Sequence, residues 1–331
     1  MLFIIKLMLI LNHLIIILVS GTKNNLENLD PQRHLSSFSF QNDHLRSMTV
    51  VTVDSQSSLE SAIVKDAYLQ LNTDIPLTSE ITISDITGLI IDGAGFAIDG
   101  TGMYRCFYLT LDSGSTEVEM RDLTITNGFV NSASTSASYG AAIYQDSYTT
   151  LSMVACEVSG SNTDSGYGGG ISVGTYATLD VTETTFIGNA ASYGGAIYMS
   201  SYSNVYVNSS ELSTNTAYQG GGIYLSTGYL TMTDVNVTQN ILSGSGAGGG
   251  AYFYAGTADL TRCSFTHHSG YQGAGIYARQ SHVLSLTDYA FENNVASYLY
   301  DDIYISGTIS LSNGCGGGSH DAGSGLLDCT G

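Results

Sequence analysis

The sequence has no tryptophan, two prolines and only nine lysines and arginines in 331 residues. Against 29 acidic side chains that leaves a net charge of -20, with too few cations to neutralise phosphates, which argues against a nucleic-acid partner. None of the five cysteines, Cys106, Cys156, Cys263, Cys315 and Cys329, stands in a Cys-x-x-Cys pair, so zinc of the usual spacing is not expected. Nothing else points to a metal or cofactor, and none is expected. Beyond the first twenty residues no apolar run approaches membrane-spanning length, so the mature chain is expected to carry no integral membrane segment. What is abundant is glycine (39) and tyrosine (23), a composition suited to many short strands and turns.

The opening MLFIIKLMLILNHLIIILVS couples an early Lys6 to a long apolar run that ends in small residues. It reads as a secretory signal over residues 1–21, cleaved after Ser20 or Gly21, with an uncleaved anchor as the alternative. Residues 22–48 read as a polar, flexible leader. In an oxidising compartment Cys315 and Cys329 are candidates for a disulfide, and the other three cysteines for buried thiols. Asn208-Ser-Ser and Asn236-Val-Thr are candidate N-glycosylation acceptors.

The body of the chain repeats. A Gly-Gly-x-Ile-Tyr string returns with a period of about 26 residues, which is the length of a solenoid coil. The residue after the glycines is Ile143, Ile171, Ile197, Ile223, Ala251, Ile276 and Ile303 in turn. Behind each of the first six comes alternating apolar sequence such as Leu179/Val181 and Val205/Val207, then a third short pattern such as Thr184/Phe186 and Ser210/Leu212. Alternation predicts strands, three to a coil. A unit this small cannot bury its own apolar face, so the coils must stack, each strand pairing in parallel with its counterpart above. The predicted fold class is all-β: a single-stranded parallel β-helix of about nine or ten coils. Residues 49–80 form its N-terminal cap, including a short helix around Leu59 to Lys65 capped by Ser57 or Ser58; the repeats span 81–314, and 315–331 are a Gly/Cys-containing tail.

Two recurrent side chains call for a role. Asn189, Asn215, Asn240 and Asn294 follow the third strand at a fixed interval, with Ser161 and His268 at the same place in two other coils. An Asn at a solenoid corner tolerates left-handed backbone and can bond to its copy in the next coil, so these read as a structural ladder. The residue after each anchor is Tyr144, Tyr198, Tyr224, Tyr252, Tyr277 and Tyr304, broken only by Ser172. With the anchors inward these phenols face outward, as a stabilising stack or as a ligand-binding stripe.

The Gly-Gly-Ala-Ile of Gly194 to Ile197 and the Phe-x-x-Asn of Phe186 to Asn189 and Phe291 to Asn294 resemble the repeats of polymorphic outer membrane proteins. Those belong to the pectate-lyase-like right-handed β-helix superfamily. The resemblance covers about residues 50 to 314 and implies a right-handed helix, secreted or at the cell surface, often in adhesion. The membrane barrel that usually ends such proteins has no counterpart before Gly331, so outer-membrane association is not the expectation.

Polysaccharide-cleaving β-helices use either paired carboxylates or an Arg base with a calcium-binding Asp cluster. Here Asn162-Thr163-Asp164 has no Asp-Asp within a coil, Asp301-Asp302 lies far downstream, and Arg262 and Arg279 are the only lysines or arginines between Asn131 and Gly331. His267-His268 and His282 lack a third ligand. No catalytic residue is assigned. The expectation is a non-enzymatic extracellular or cell-surface protein for adhesion, surface structure, or binding of an extracellular polysaccharide or cell-surface protein; a lyase or hydrolase acting on acidic polysaccharide is the alternative.

Overall fold

The computed structural model describes residues 49–131, 138–279, 282–305, 308–312 and 327–330. Ile171 pairs with Ile197 and Ile197 with Ile223 in parallel register. The same column extends down through Ile143, Phe107 and Ile81 and up through Ala251, Ile276 and Ile303. At the strand spacing of about 4.8 Å these nine rungs make a column about 38 Å long. Every anchor in it is buried. The fold is a parallel β-solenoid of about nine turns, with one short helix among the described residues.

Each coil contributes to three ladders, as the alternation predicts. The anchor ladder is followed by a second, in which Leu151, Leu179 and Val205 align and point inward. A third, nine strands tall, aligns Val158, Phe186, Leu212, Val237, Phe265 and Phe291. A fourth ladder was not expected: short strands such as Asn162–Thr163, Thr216–Gln219 and Ile241–Ala247 run along the corner after the Asn positions. Their outer residues are polar or exposed, so hydrophobic alternation carries little sign of them. Stacking also starts earlier than expected. Val50–Val53 and Tyr68–Leu71, within the segment read as a cap, already form rungs of the second ladder.

The helix runs from Gln56 to Ala62, displaced toward the N-terminus from its expected place. Its N-cap is Ser55; Ser58, expected as the cap, sits at the third helical position and closes a capping box back onto Ser55. Leu59 is its one buried residue and joins the core of the first coils.

Corners are made by left-handed residues. The first glycine of each Gly-Gly corner has positive φ, as at Gly168 (69°), Gly194 (65°) and Gly220 (66°), and a Cβ on Gly194 would overlap the carbonyl oxygen of Ile197. At the Asn corner the left-handed residue is the one before the Asn: Gly188, Thr214, Gln239, His267 and Asn293. The Asn itself is therefore not the residue that makes the left-handed turn.

Between the anchor and second strands, three coils turn through a left-handed tyrosine, Tyr148 (φ 62°), Tyr176 (59°) and Tyr202 (57°). The next two coils lose this turn, because Leu225 to Leu230 is one residue shorter than Met199 to Val205. Their strands fuse into Ile223–Thr233 and Ala251–Thr261.

Candidate interaction surface

The six tyrosines after the anchors do lie on the outer side of the anchor ladder, but they are not open to solvent. Five are half-buried and Tyr252 is 3% exposed. They are roofed by one another: Tyr198, Tyr224, Tyr252, Tyr277 and Tyr304 stack with centroids 4.7 to 5.4 Å apart. The break at Ser172 is bridged from the neighbouring corner, where Tyr139 stacks on Tyr144 (5.2 Å), Tyr167 on Tyr139 (5.0 Å), and Tyr198 tilts against Tyr167 (4.8 Å). Burial pushes the phenols of Tyr198 and Tyr252 up to about 12, so they stay protonated. At the lower end Tyr108 and Tyr144 donate to the two oxygens of Asp146, at 3.0 and 3.2 Å. Ring faces turned toward neighbouring rings leave a ligand little to stack on.

A second tyrosine row, which the sequence reading passed over, is exposed. Tyr148, Tyr176 and Tyr202 are 64%, 48% and 58% accessible and stack at 5.1 Å along the left-handed turns. The signal was a tyrosine five residues past Ile143, Ile171 and Ile197, easily read as turn filler beside the more regular stripe. A bulky side chain in the left-handed region costs on the order of 1–3 kcal/mol where glycine or asparagine would cost less. Three consecutive coils carry that cost and expose the ring. Tyr206 and Tyr229, 40% and 59% exposed, widen the row onto the outer face of the second ladder.

Asn189, Asn215, Asn240 and Asn294 are all buried. Asn189 Nδ2 and its backbone N–H both donate to Asn215 Oδ1 (3.1 and 3.0 Å), and Asn215 repeats the pattern on Asn240 (3.0 and 2.8 Å). His268 takes the next place: its Nδ1 accepts the Asn240 N–H at 3.1 Å and its own N–H donates to Asn294 Oδ1 at 3.0 Å. Burial pushes the His268 imidazole down to about 4, so it is neutral. Asn294 Nδ2 donates onward to Asp302 (2.9 Å), and Asp301 accepts the Ala296 N–H (2.7 Å). The Asp-Asp pair thus serves the upper end of the corner.

The remaining reactive side chains are dispersed. Arg262 is held by Asp234 through two bonds of 2.6 and 2.7 Å, and Arg279 lies 4.8 Å over the Tyr254 ring. His267 is exposed and meets Asn293, on the opposite side of the chain from His268. Asp164 is exposed after its short strand. Among the described residues no three His, Cys, Asp or Glu side chains are grouped to hold a metal.

A cleft of about 400 Å³ is lined by Asp99, Thr101, Asn127, Phe129 and Asn162. Asp99 already accepts the Thr101 N–H (2.7 Å) and Asn127 Nδ2 (3.1 Å) there. Asn208 and Asn236 are exposed on the second and third ladders. Cys106, Cys156 and Cys263 are free and buried. The signal, the leader and the Cys315–Cys329 pairing lie outside the described residues, although Cys329 falls in the strand Leu327–Thr330. No helix among the described residues is long and apolar enough to cross a membrane.

Comparison with known proteins places residues 78–281 in the family described as "Right handed beta helix region". Among solved structures the chain is similar to one titled "L. reuteri 53608 SRRP", with 16% identity and a TM-score of 0.30 over 78% of this chain and 98% of that one. No curated protein matches.

Proposed function

The chain belongs to the right-handed β-helix family, and from that premise we propose that it is a secreted or cell-surface adhesive scaffold, without enzymatic activity, whose stacked coils present a tyrosine-rich recognition surface. The observation that carries this reading is the exposed Tyr148, Tyr176 and Tyr202 row, held in costly left-handed turns on three successive coils. Tyrosine supplies broad, stiff, amphipathic contact area at low entropic cost, and the row sits on a backbone locked by ladder hydrogen bonds. The apolar opening run, read as a secretory signal, supports export. A non-enzymatic reading is favoured by side chains already committed elsewhere: Arg262 to Asp234, His268 to the Asn ladder, Asp302 to Asn294.

The test is retention of the purified full chain on surfaces coated with extracellular matrix and on a glycan array, compared with a Tyr148→Ser/Tyr176→Ser/Tyr202→Ser variant. Wild type is expected to bind and the variant to lose at least about fivefold, the effect of roughly 1 kcal/mol. Equal retention of the two proteins, or release of uronic-acid oligosaccharides from pectin or alginate by wild type, overturns the reading.

A further inference from the structure

The geometry points to Asp180, with Tyr206 beside it, as a receptor for an arginine side chain of a partner protein that docks across the tyrosine-rich face. This rests on the adhesive reading above and adds to it the chemistry of the partner.

The precedent lies within the chain, where two of the four described arginines settle between a carboxylate and a tyrosine ring, and of the other two one takes a carboxylate and one a ring. Arg105 is ion-paired with Glu80 while its guanidinium carbon lies 5.7 Å from the Tyr108 ring centre and 5.4 Å from that of Tyr144. Arg121 is paired with Glu119 and lies 5.7 Å from the Tyr68 ring. Arg279 covers Tyr254, and Arg262 is clamped by Asp234. All four arginines of the described residues are therefore engaged.

Asp180 presents the same constellation without the guanidinium. It stands mid-strand in Thr178–Thr182, between inward Leu179 and Val181, so its carboxylate is on the outer face. Its Cα partners are Ser152 on one side and Tyr206 on the other. Outward side chains on adjacent rungs stand about 5 Å apart, within reach of one shared cation. Among the described residues no ion pair involves Asp180. Asp180 is exposed, and the protein around it draws away enough water to push its carboxyl up.

The surroundings fit a protein partner. Tyr202 and Tyr229 are exposed nearby, and the outward positions around them include Thr178, Thr182, Asn204 and Asn208, the mixture of rigid aromatics and small polar groups that protein recognition surfaces favour. A net charge of -20 draws a cationic partner and repels a second copy of this chain.

The experiment measures binding of the peptide acetyl-Gly-Arg-Gly-Arg-Gly-amide to the full chain made without N-glycosylation, so that Asn208 is bare. The citrulline version of the peptide serves as its neutral control. Asp259, exposed in the same outward row but flanked by Thr231 and Ser285, supplies a variant with the same loss of charge away from the tyrosines. Asp180→Asn is expected to weaken binding about fivefold and Tyr206→Leu about threefold, with Asp259→Asn changing it by less than about twofold.

Equal effects of Asp180→Asn and Asp259→Asn, or equal binding of the arginine and citrulline peptides, overturn the proposal. If surface retention is lost in the triple tyrosine variant but kept in Asp180→Asn, the adhesive reading stands and the arginine receptor falls. If neither variant loses retention, both fall.

Discussion

Replacing Asn215 with alanine tests whether the buried amides hold the corner together. Asn215 Oδ1 accepts the Asn189 N–H (3.0 Å) and Asn189 Nδ2 (3.1 Å), and its own Nδ2 donates to the Phe186 carbonyl and Asn240 Oδ1, both at 3.0 Å. Alanine removes all four. Asn240 Oδ1 keeps the Asn215 N–H (2.8 Å), Asn189 Nδ2 keeps the Val158 carbonyl (2.9 Å) and the Phe186 carbonyl stays in its strand ladder, so the uncompensated groups are the Asn189 backbone N–H and one Asn189 Nδ2 hydrogen. At about 1–3 kcal/mol for each orphaned buried group, the expected loss is about 4 kcal/mol, a large part of the 5–15 kcal/mol typical of a folded domain. Because each coil contacts only its neighbours, the loss falls on the coils flanking Asn215. Denaturant unfolding followed by circular dichroism gives the total, and hydrogen exchange at the Asn189 amide gives the locality. Asn215→Ser is the graded control, since Ser161 Oγ accepts the Gly128 N–H (3.0 Å) at the equivalent corner; it should restore about half of the loss. A loss below about 1 kcal/mol for alanine, or an Asn189 amide that exchanges no faster, refutes the reasoning.

Two further perturbations address the pH response and the glycine corners. His268, held down to about 4 by burial, is neutral when folded and protonates near 6.5 when unfolded. Its contribution is therefore complete above pH 6.5 and is lost as pH falls toward 4, by about 3 kcal/mol. The other ionisable side chains at this corner, exposed His267 and Asp302 bonded to Asn294, both remain in His268→Asn. Stability curves of wild type and His268→Asn should separate as pH falls from 7 to 4, and parallel curves contradict the assignment. Gly188 and Gly194 share φ, 66° and 65°, but only at Gly194 would a Cβ meet the Ile197 carbonyl. Gly188→Ala should cost about 1 kcal/mol and Gly194→Ala about 3 kcal/mol in denaturant titrations, the difference being the clash; equal costs would mean that the corner relaxes around the methyl.

The architecture was legible because a solenoid writes its core as a repeat. Ile171, Ile197 and Ile223 recur at a constant interval, and only stacking in register gives such residues a shared interior. What escaped was whatever lacks an apolar period. The corner strand Thr216–Gln219 buries only one small residue, Ala217, and the helix start turned on which of several serines closes the capping box. The candidate surface was less legible still. Both tyrosine rows recur at coil spacing, and sequence does not distinguish a ring roofed by its neighbours from one raised on a left-handed turn. The difference is set by the turn's length: where a residue is added between the anchor and second strands, the chain must leave the sheet, and the tyrosine goes with it.

That dependence on length also bounds the surface. Coils that keep the extra residue raise Tyr148, Tyr176 and Tyr202; the coils that lack it run straight from Ile223 to Thr233 and from Ala251 to Thr261. The core does not register the change, because Leu225 and Leu230 stay in line with Met199 and Val205 in both ladders. A stack whose interior tolerates a residue gained or lost at a turn can acquire or erase a recognition feature one coil at a time without renegotiating its packing. Asp180 lies where this matters, in the middle coil of the three that turn, with a neighbour on each side to widen the surface. The fold thereby gives one side-chain type two placements: stacked beside the anchors, tyrosine is covered by its neighbours, and lifted one turn further along, it stays exposed.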